Sequence, residues 1–240
     1  MKNWQQPQLL TLAVIALTVG SGATDVACFT RVGGVFASVM TGNIVLWGLA
    51  AARGSLSLLS HATVSLAGYT IGVIGGTRIA YGLRARKDEE GAVWPHHVTW
   101  ALRAELVLLA AFTVGWEVSG GRPAGWVQYC LLAVASAAMG VQAAAARDMG
   151  LIEVTTTYLT GTLTALVSSL ARPGQQAPHL SRRFGVLFGL AAGASLSGLL
   201  IATAADAMPA LPLAAVVTAL VLASRIRPTR SRGARSADTP

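Results

Sequence analysis

Long runs of apolar residues, separated by short polar segments, recur along most of the chain. All but one of these runs contain no charged residue, and the exception is interrupted only by Arg103 and Glu105. The runs are Leu9–Thr24, Val32–Ala52, Gly54–Thr77, Val98–Trp116, Pro123–Ala146, Val154–Ala171, Phe184–Ala205 and Ala207–Ser224. Because a helix needs about 17–25 apolar residues to cross the hydrocarbon of a bilayer, most of them are long enough. The pattern predicts an all-α integral membrane protein with eight hydrophobic segments.

Basic residues predict how these segments are oriented. The loops 84–97 and 172–183 and the tail after Arg225 are all rich in arginine, as cytoplasmic loops of membrane proteins usually are. If both loops are cytoplasmic, an even number of crossings separates them, yet three apolar runs lie between them. Either one run does not span or one basic loop is outside. Val154–Ala171 is the least hydrophobic of the three, so we expect it to be broken or re-entrant, with six or seven full crossings in total.

Composition supports a membrane protein and affects how the net positive charge is interpreted. The chain is 53% hydrophobic and 12% charged, which is about half the charged share of a soluble domain. The net charge of +8 comes from residues beside the spans, so it indicates topology and not nucleic-acid binding. We expect one polytopic domain over residues 1–225 and a disordered, Arg-rich tail over 226–240. The predicted partners are the lipid bilayer and a small-molecule solute, and the oligomeric state is left open.

One segment of the chain has a weaker copy in the second half. Ala37–Arg53 aligns without gaps to Thr156–Arg172, so that Thr41-Gly42 falls on Thr160-Gly161, and a glycine-rich run follows each segment. The alternative is a chance similarity between two membrane helices. If the copy is real, a three-helix unit is duplicated, with halves at about 9–82 and 124–205. Many transporters build a central site from such repeats.

Polar side chains inside the apolar runs are the candidates for a functional site. Threonine and asparagine at mid-depth must find hydrogen-bond partners in the protein, because lipid offers none. The two TG motifs therefore either line a shared polar site at broken helices or hold neighbouring helices together. The candidates for substrate binding are Asp25, Thr41, Gly42, Asn43, Gln142, Thr160, Gly161 and Thr162.

Two carboxyl groups are candidates for coupling transport to a proton or cation. Asp25 precedes Arg31 in the turn after the first run, where it is either buried and functional or at headgroup level. Glu105 and Arg103 are two residues apart, so they point to different faces of a helix and cannot pair. Arg103 can extend to the interface, whereas Glu105 is deeper and can accept a proton or pair with another helix.

Other reactive residues do not form a recognisable catalytic or metal-binding pattern. Cys28 and Cys130 belong to no CxxC motif, His61 is more typical of an interfacial position, and His96-His97 has no further ligand at suitable spacing. The sequence also contains no P-loop, GxGxxG, HExxH or nucleophile elbow. We therefore predict no metal, no cofactor and no enzymatic activity.

Several short motifs resemble the YoaK-like family of small bacterial integral membrane proteins. Gly22, Asp25, Phe36 and Met40-Thr41-Gly42-Asn43 carry the resemblance in the first half. Met139-Gly140, Gln142, Arg147, Thr156-Thr157 and Leu159-Thr160-Gly161-Thr162 carry it in the second. The similarity covers roughly residues 10 to 225. It implies about six transmembrane segments and no established substrate, cofactor or catalytic residue.

These observations favour a small-solute transporter or permease of the bacterial cytoplasmic membrane with a cytoplasmic carboxyl-terminal tail. In this hypothesis, the helices that carry Thr41–Asn43 and Thr160–Thr162 meet at a polar site near mid-membrane. The alternative is a structural or accessory membrane protein whose polar motifs serve only helix packing.

Overall fold

The computed structural model describes residues 5–84, 94–149, 159–171 and 180–226. These ranges contain only helices and their connections. The helices are α1 (Gln5–Arg31), α2 (Met40–Arg53), α3 (Leu56–Arg84), α4 (His96–Val118), α5 (Trp126–Asp148), α6 (Leu159–Leu170), α7 (Leu180–Thr203) and α8 (Ala210–Ser224), with a 3-10 turn at Ala205–Ala207 before α8. The predicted disorder of the tail concerns residues that, from 227 onward, lie outside this description.

Six helices are long and apolar enough to cross a membrane, namely α1, α3, α4, α5, α7 and α8 with its preceding turn. The short helices α2 and α6 contain 14 and 12 residues. At 1.5 Å per residue they extend about 21 and 18 Å, well under the hydrocarbon thickness of about 30 Å. The prediction of six or seven crossings is thus confirmed at six. An even number of crossings now separates the two basic loops.

The described contacts give the direction of each crossing helix. Ser21 of α1 contacts Gln142 of α5, whereas Arg31 at the end of α1 contacts Gln128 near the start of α5. α1 and α5 are therefore antiparallel. Similar contacts show that α4 is antiparallel to α5, that α3 is parallel to α5, and that α7 is parallel to α1. We call the end of the bundle where α1 begins end A, and the other end B.

When the halves are taken as α1–α4 and α5–α8, each one helix longer than the predicted three-helix unit, their crossing helices pack alike. α1 packs against α7 and α8, and α5 packs in the same way against α3 and α4. The short helices follow the same rule, since α2 packs on α3 and α6 packs on α7. α4 and α8 contact each other. Each crossing helix thus makes contacts mainly with helices from the other half.

Glycines bring the backbones of these parallel helix pairs into close contact, and their spacing is the same in both pairs. A Cβ on Gly72 of α3 would collide with the Ala137 carbonyl, and a Cβ on Gly140 of α5 would collide with the Tyr69 carbonyl. In the other pair, Gly193 of α7 meets Val19 and Gly22 of α1 meets Leu190. The spacing is three residues on each helix in both pairs. Along α5 it separates the Gly72 contact from Gly140, and along α1 it separates the Gly193 contact from Gly22.

Candidate functional site

The chain re-enters the bundle immediately after α1. Residues 32–39 are non-helical, yet Ala37 and Ser38 contact Asp25, which lies well before the last residue of α1. Phe36 contacts Ser65, about 14 Å along α3 from its first residue. Non-helical backbone at this depth is tolerated only where its polar groups are satisfied by protein. This re-entrant loop therefore explains why polar side chains occur in this apolar part of the chain.

Asp25 satisfies one side of the loop. Its Oδ1 accepts hydrogen bonds from the backbone N–H groups of Ala37 (2.8 Å) and Ser38 (2.7 Å), and its Oδ2 accepts one from the Ser38 hydroxyl (2.5 Å). The side chain is buried. Hydrogen bonds from two amides and a hydroxyl are those that stabilise a carboxylate away from water. Asp25 thus holds the loop against α1.

Asn43 satisfies the other side of the loop from the first turn of α2. Its Oδ1 accepts a hydrogen bond from the Phe36 N–H (2.9 Å), and its Nδ2 donates to the Phe36 carbonyl (2.7 Å) and to Ser65 Oγ (2.9 Å). Ser65 Oγ is also 2.9 Å from Ser136 Oγ of α5. Asn43 is completely buried, so the amide connects the loop, α3 and α5 without contact with solvent.

The same loop lies against a polar group at end B. Gly33 has a φ of +105° and lies so close to His61 that a Cβ there would overlap the imidazole ring. His61 contacts Gln128 (3.2 Å), which donates to the Arg31 carbonyl (3.0 Å). The expected interfacial position of His61 agrees with its place near the start of α3, although its side chain is buried. Only glycine fits the loop at position 33.

A second polar group lies near the middle of the bundle and connects three helices. The Ser21 hydroxyl of α1 donates to Gln142 Oε1 of α5 (2.6 Å), and Gln142 Nε2 donates to Glu105 Oε1 of α4 (2.9 Å). Glu105 is completely buried near the middle of α4. Its second oxygen, Oε2, is buried and has no hydrogen-bond partner in the described part of the chain. A carboxyl oxygen in such surroundings is costly unless it carries a proton or binds a cation.

The remaining candidates do not join either group. Thr41 and Thr160 are exposed on the outside of the bundle, as is Gly161, while Thr162 is buried. Gly42 faces Phe36 and Val39. α2 precedes α3 at end B, whereas Leu159 at the start of α6 lies beside Ala146, near the end A terminus of α5. The structure does not bring the two TG motifs together, because α1 and α5, which precede them, run in opposite directions.

Two of the three residues in the central group, Glu105 and Gln142, were predicted candidates. Ser21, which contacts Gln142, was not predicted, since serine is common wherever membrane helices pack. As for metals, no three His, Cys, Asp or Glu side chains within the described ranges come together as ligands. The absence of a metal or cofactor stays a prediction.

Comparison with known proteins gives the chain a family. The family described as "Protein of unknown function (DUF1275)" matches residues 13–224. The UPF0700 transmembrane protein YoaK of Bacillus subtilis (strain 168) is 32% identical over 160 residues, which are 67% of this chain and 66% of that protein. The chain thus matches just under two thirds of that relative's length. The resemblance to a YoaK-like family is confirmed. No solved structure matches the chain.

Proposed function

Because this chain belongs to the DUF1275 family of proteins of unknown function, we propose its activity from its own residues: it is a transporter of a small solute. The solute and a coupling proton or monovalent cation bind at the mid-membrane group formed by Ser21, Gln142 and Glu105. The observation that carries this proposal is the fully buried Glu105 carboxyl, of which one oxygen is hydrogen-bonded to Gln142 and the other has no partner.

The packing supports an inverted duplication, and such repeats are common in transporters. Each half contains three crossings and one short helix, in the order long, short, long, long. An odd number of crossings turns the second copy upside down in the membrane, as the antiparallel α1 and α5 indicate. Gly72 with Gly140 and Gly193 with Gly22 repeat one set of contacts. In proteins of this kind, substrate and ion sites lie near the midplane where the repeats meet.

The central group has the position that such a site requires. Glu105 belongs to the first half, Gln142 to the second, and Ser21 to the first, so the hydrogen bonds cross twice between the halves. A carboxyl, an amide and a hydroxyl together can coordinate a proton or a small cation and donate to a polar solute. Glu105 is the coupling group in this mechanism, and Asp25 is not, since both Asp25 oxygens are already occupied by the loop.

Charge gives the proposed orientation. The basic segments at 84–87 and 172–183 and the tail after Arg225 are connected to helix termini at end A, whereas end B carries Arg31, Arg53 and Arg122. Lys and Arg are retained on the cytoplasmic side. We therefore propose a bacterial cytoplasmic membrane protein with end A and the tail in the cytoplasm.

A structural or accessory role is the second candidate, and the re-entrant loop favours it. Asp25 and Asn43 form hydrogen bonds with the backbone of residues 36–38. In this case the polar motif stabilises the fold, and Glu105 only completes a hydrogen-bond network.

Solute-induced proton movement separates the two candidates. The full chain is reconstituted into liposomes that contain a pH-sensitive dye, and fractions of a water-soluble metabolite extract are added outside. A transporter gives a solute-dependent pH change that Glu105→Gln abolishes. The matched control is Glu117→Gln, because Glu117 is an exposed carboxyl on the same helix. A response that Glu105→Gln leaves unchanged supports the accessory role. The same conclusion follows if folded protein gives no response to any fraction, either with this dye or with dyes that report Na⁺ and K⁺.

A further inference from the structure

A groove with two arginines lies on the outer surface between α3 and α4, apart from the central group. It has a volume of about 590 Å³ and is open to the surroundings of the bundle. Its lining includes Arg78, Ile79, Gly82, Trp100, Arg103 and Val107. The groove lies toward end A, since α3 ends and α4 begins there.

Within the described ranges, the two arginines of the groove have no anionic partner. Arg78 and Arg103 are both exposed, and neither forms an ion pair there. The Arg103 guanidinium lies 4.8 Å from the centre of the Trp100 ring, a cation–π contact that brings no negative charge. Guanidinium groups close to the membrane surface attract anionic lipids.

The rest of the groove is suited to a hydrocarbon chain. Its surface is overwhelmingly apolar, and Val107 is 69% exposed on the side toward mid-membrane. This apolar part, which we call the floor of the groove, extends from the arginines toward Val107. Gly82 lies about one helical turn beyond Arg78 toward end A, where an added Cβ would meet only open space. Trp100 is near the start of α4, where tryptophan side chains lie at the level of lipid headgroups.

We propose that this groove binds an anionic phospholipid of the leaflet at end A. The phosphate lies between Arg78 and Arg103, the rest of the headgroup lies beside Gly82, and one acyl chain extends past Val107 toward mid-membrane. Charge complementarity selects this occupant: a zwitterionic lipid has no net charge to compensate the two guanidinium groups, and a soluble anion would leave the apolar floor empty. Basic pockets between membrane helices on the cytoplasmic side commonly bind such headgroups.

The test compares lipids and variants in the purified full chain. Phosphatidylglycerol, phosphatidylcholine with the same acyl chains, and glycerol phosphate alone are titrated separately, and native mass spectrometry measures how much of each is retained. Arg78→Gln with Arg103→Gln removes the charges, and Val107→Trp fills part of the apolar floor while keeping them. The matched control is Arg53→Gln with Arg122→Gln, two exposed arginines at end B.

We expect the unmodified chain and the control to retain phosphatidylglycerol. The charge variant should lose affinity by about 30-fold, since an arginine near an anionic lipid contributes roughly 1 kcal/mol, or about fivefold. Val107→Trp should weaken the binding of phosphatidylglycerol as well. Equal retention of phosphatidylcholine overturns the proposal, as does unchanged affinity in the charge variant. Binding of glycerol phosphate alone, unaffected by Val107→Trp, identifies a soluble-anion site instead.

Discussion

The side-chain amide of Asn43 pairs with both backbone polar groups of Phe36, accepting from its N–H at 2.9 Å and donating to its carbonyl at 2.7 Å. An asparagine here replaces the partner that a helix or sheet would give to the peptide group. This pairing lies at the turning point of the re-entrant loop. Asn43, the last residue of Met40-Thr41-Gly42-Asn43, is thus the residue that allows a non-helical chain to enter the membrane region.

Replacing Asn43 with alanine should destabilise the fold. The change leaves the Phe36 N–H without its partner, at about 1–3 kcal/mol, and removes one of the two donors to the Phe36 carbonyl, which keeps its hydrogen bond from Ser65 Oγ. We expect the apparent melting temperature in detergent to fall by about 5–10 °C. Thr41→Ala is the matched control, since Thr41 belongs to the same motif but is exposed. Equal melting temperatures for both variants would contradict a structural role for Asn43.

Two substitutions at Asp25 should differ strongly. Asparagine keeps the Oδ1 acceptor for Ala37 and Ser38, and its Nδ2 can donate to the Ser38 hydroxyl, so Asp25→Asn should retain both folding and activity. Asp25→Ala removes all three bonds and should reduce the yield of monodisperse protein severely, since two buried N–H groups lose their acceptor. Size-exclusion profiles measure this difference. Loss of solute-coupled proton movement in a well-folded Asp25→Asn variant would instead give Asp25 a coupling role.

The close helix contacts predict where an added methyl group is harmful. Gly72→Ala places a Cβ against the backbone of Ala137 and should destabilise the protein by about 1–3 kcal/mol. Gly193→Ala should have a similar effect, because it makes the equivalent contact with Val19. Gly75→Ala is the control on the same helix, where a Cβ meets open space. Thermal unfolding of the three variants checks the ranking, and a Gly75→Ala loss as large as that of Gly72→Ala would refute it.

Cysteine labelling in intact cells tests the six crossings and the orientation together. In a chain whose Cys28 and Cys130 are replaced by alanine, Arg122→Cys at end B should react with a membrane-impermeant maleimide. Ser224→Cys at the end of α8 should react only after the cells are opened. Both positions are exposed. Reaction of both in intact cells would require an even number of crossings between the two positions, contrary to the three described, α5, α7 and α8. The reversed pattern would place the tail outside.

Length and hydropathy were enough to predict the membrane class and six or seven crossings. The positions of the basic loops were also needed to predict that the run around α6 does not span. The run that contains α2 was harder to assess. Val32–Ala52 is apolar throughout, and only the tertiary contacts of Phe36, Ala37 and Ser38 show that its first part is a loop. Periodicity cannot reveal this, because the hydrogen bonds that replace helical ones come from Asp25 and Asn43 on neighbouring helices.

The same limit applies to the central group. Glu105 can be identified as a candidate from the sequence because it is a carboxyl within an apolar run. Gln142 can be identified because it is an amide beside a stretch of alanine. Their contact depends on how α4 and α5 are rotated about their axes, and the glycine contacts between α3 and α5 constrain only α5. Ser21 carries no signal of its own, since its role follows only from the position of Gln142.

The placement of α2 toward end B and of α6 toward end A has a consequence for how the proposed transporter opens to one side of the membrane and then to the other. Two copies of one unit, inserted upside down relative to each other, need not have the same shape at the same moment. If the halves exchange their shapes, a conformation closed at one end becomes one closed at the other end, and equivalent contacts replace each other. In the proposed inverted repeat, the shape of each half would then be the shape that the other half adopts in the second access state.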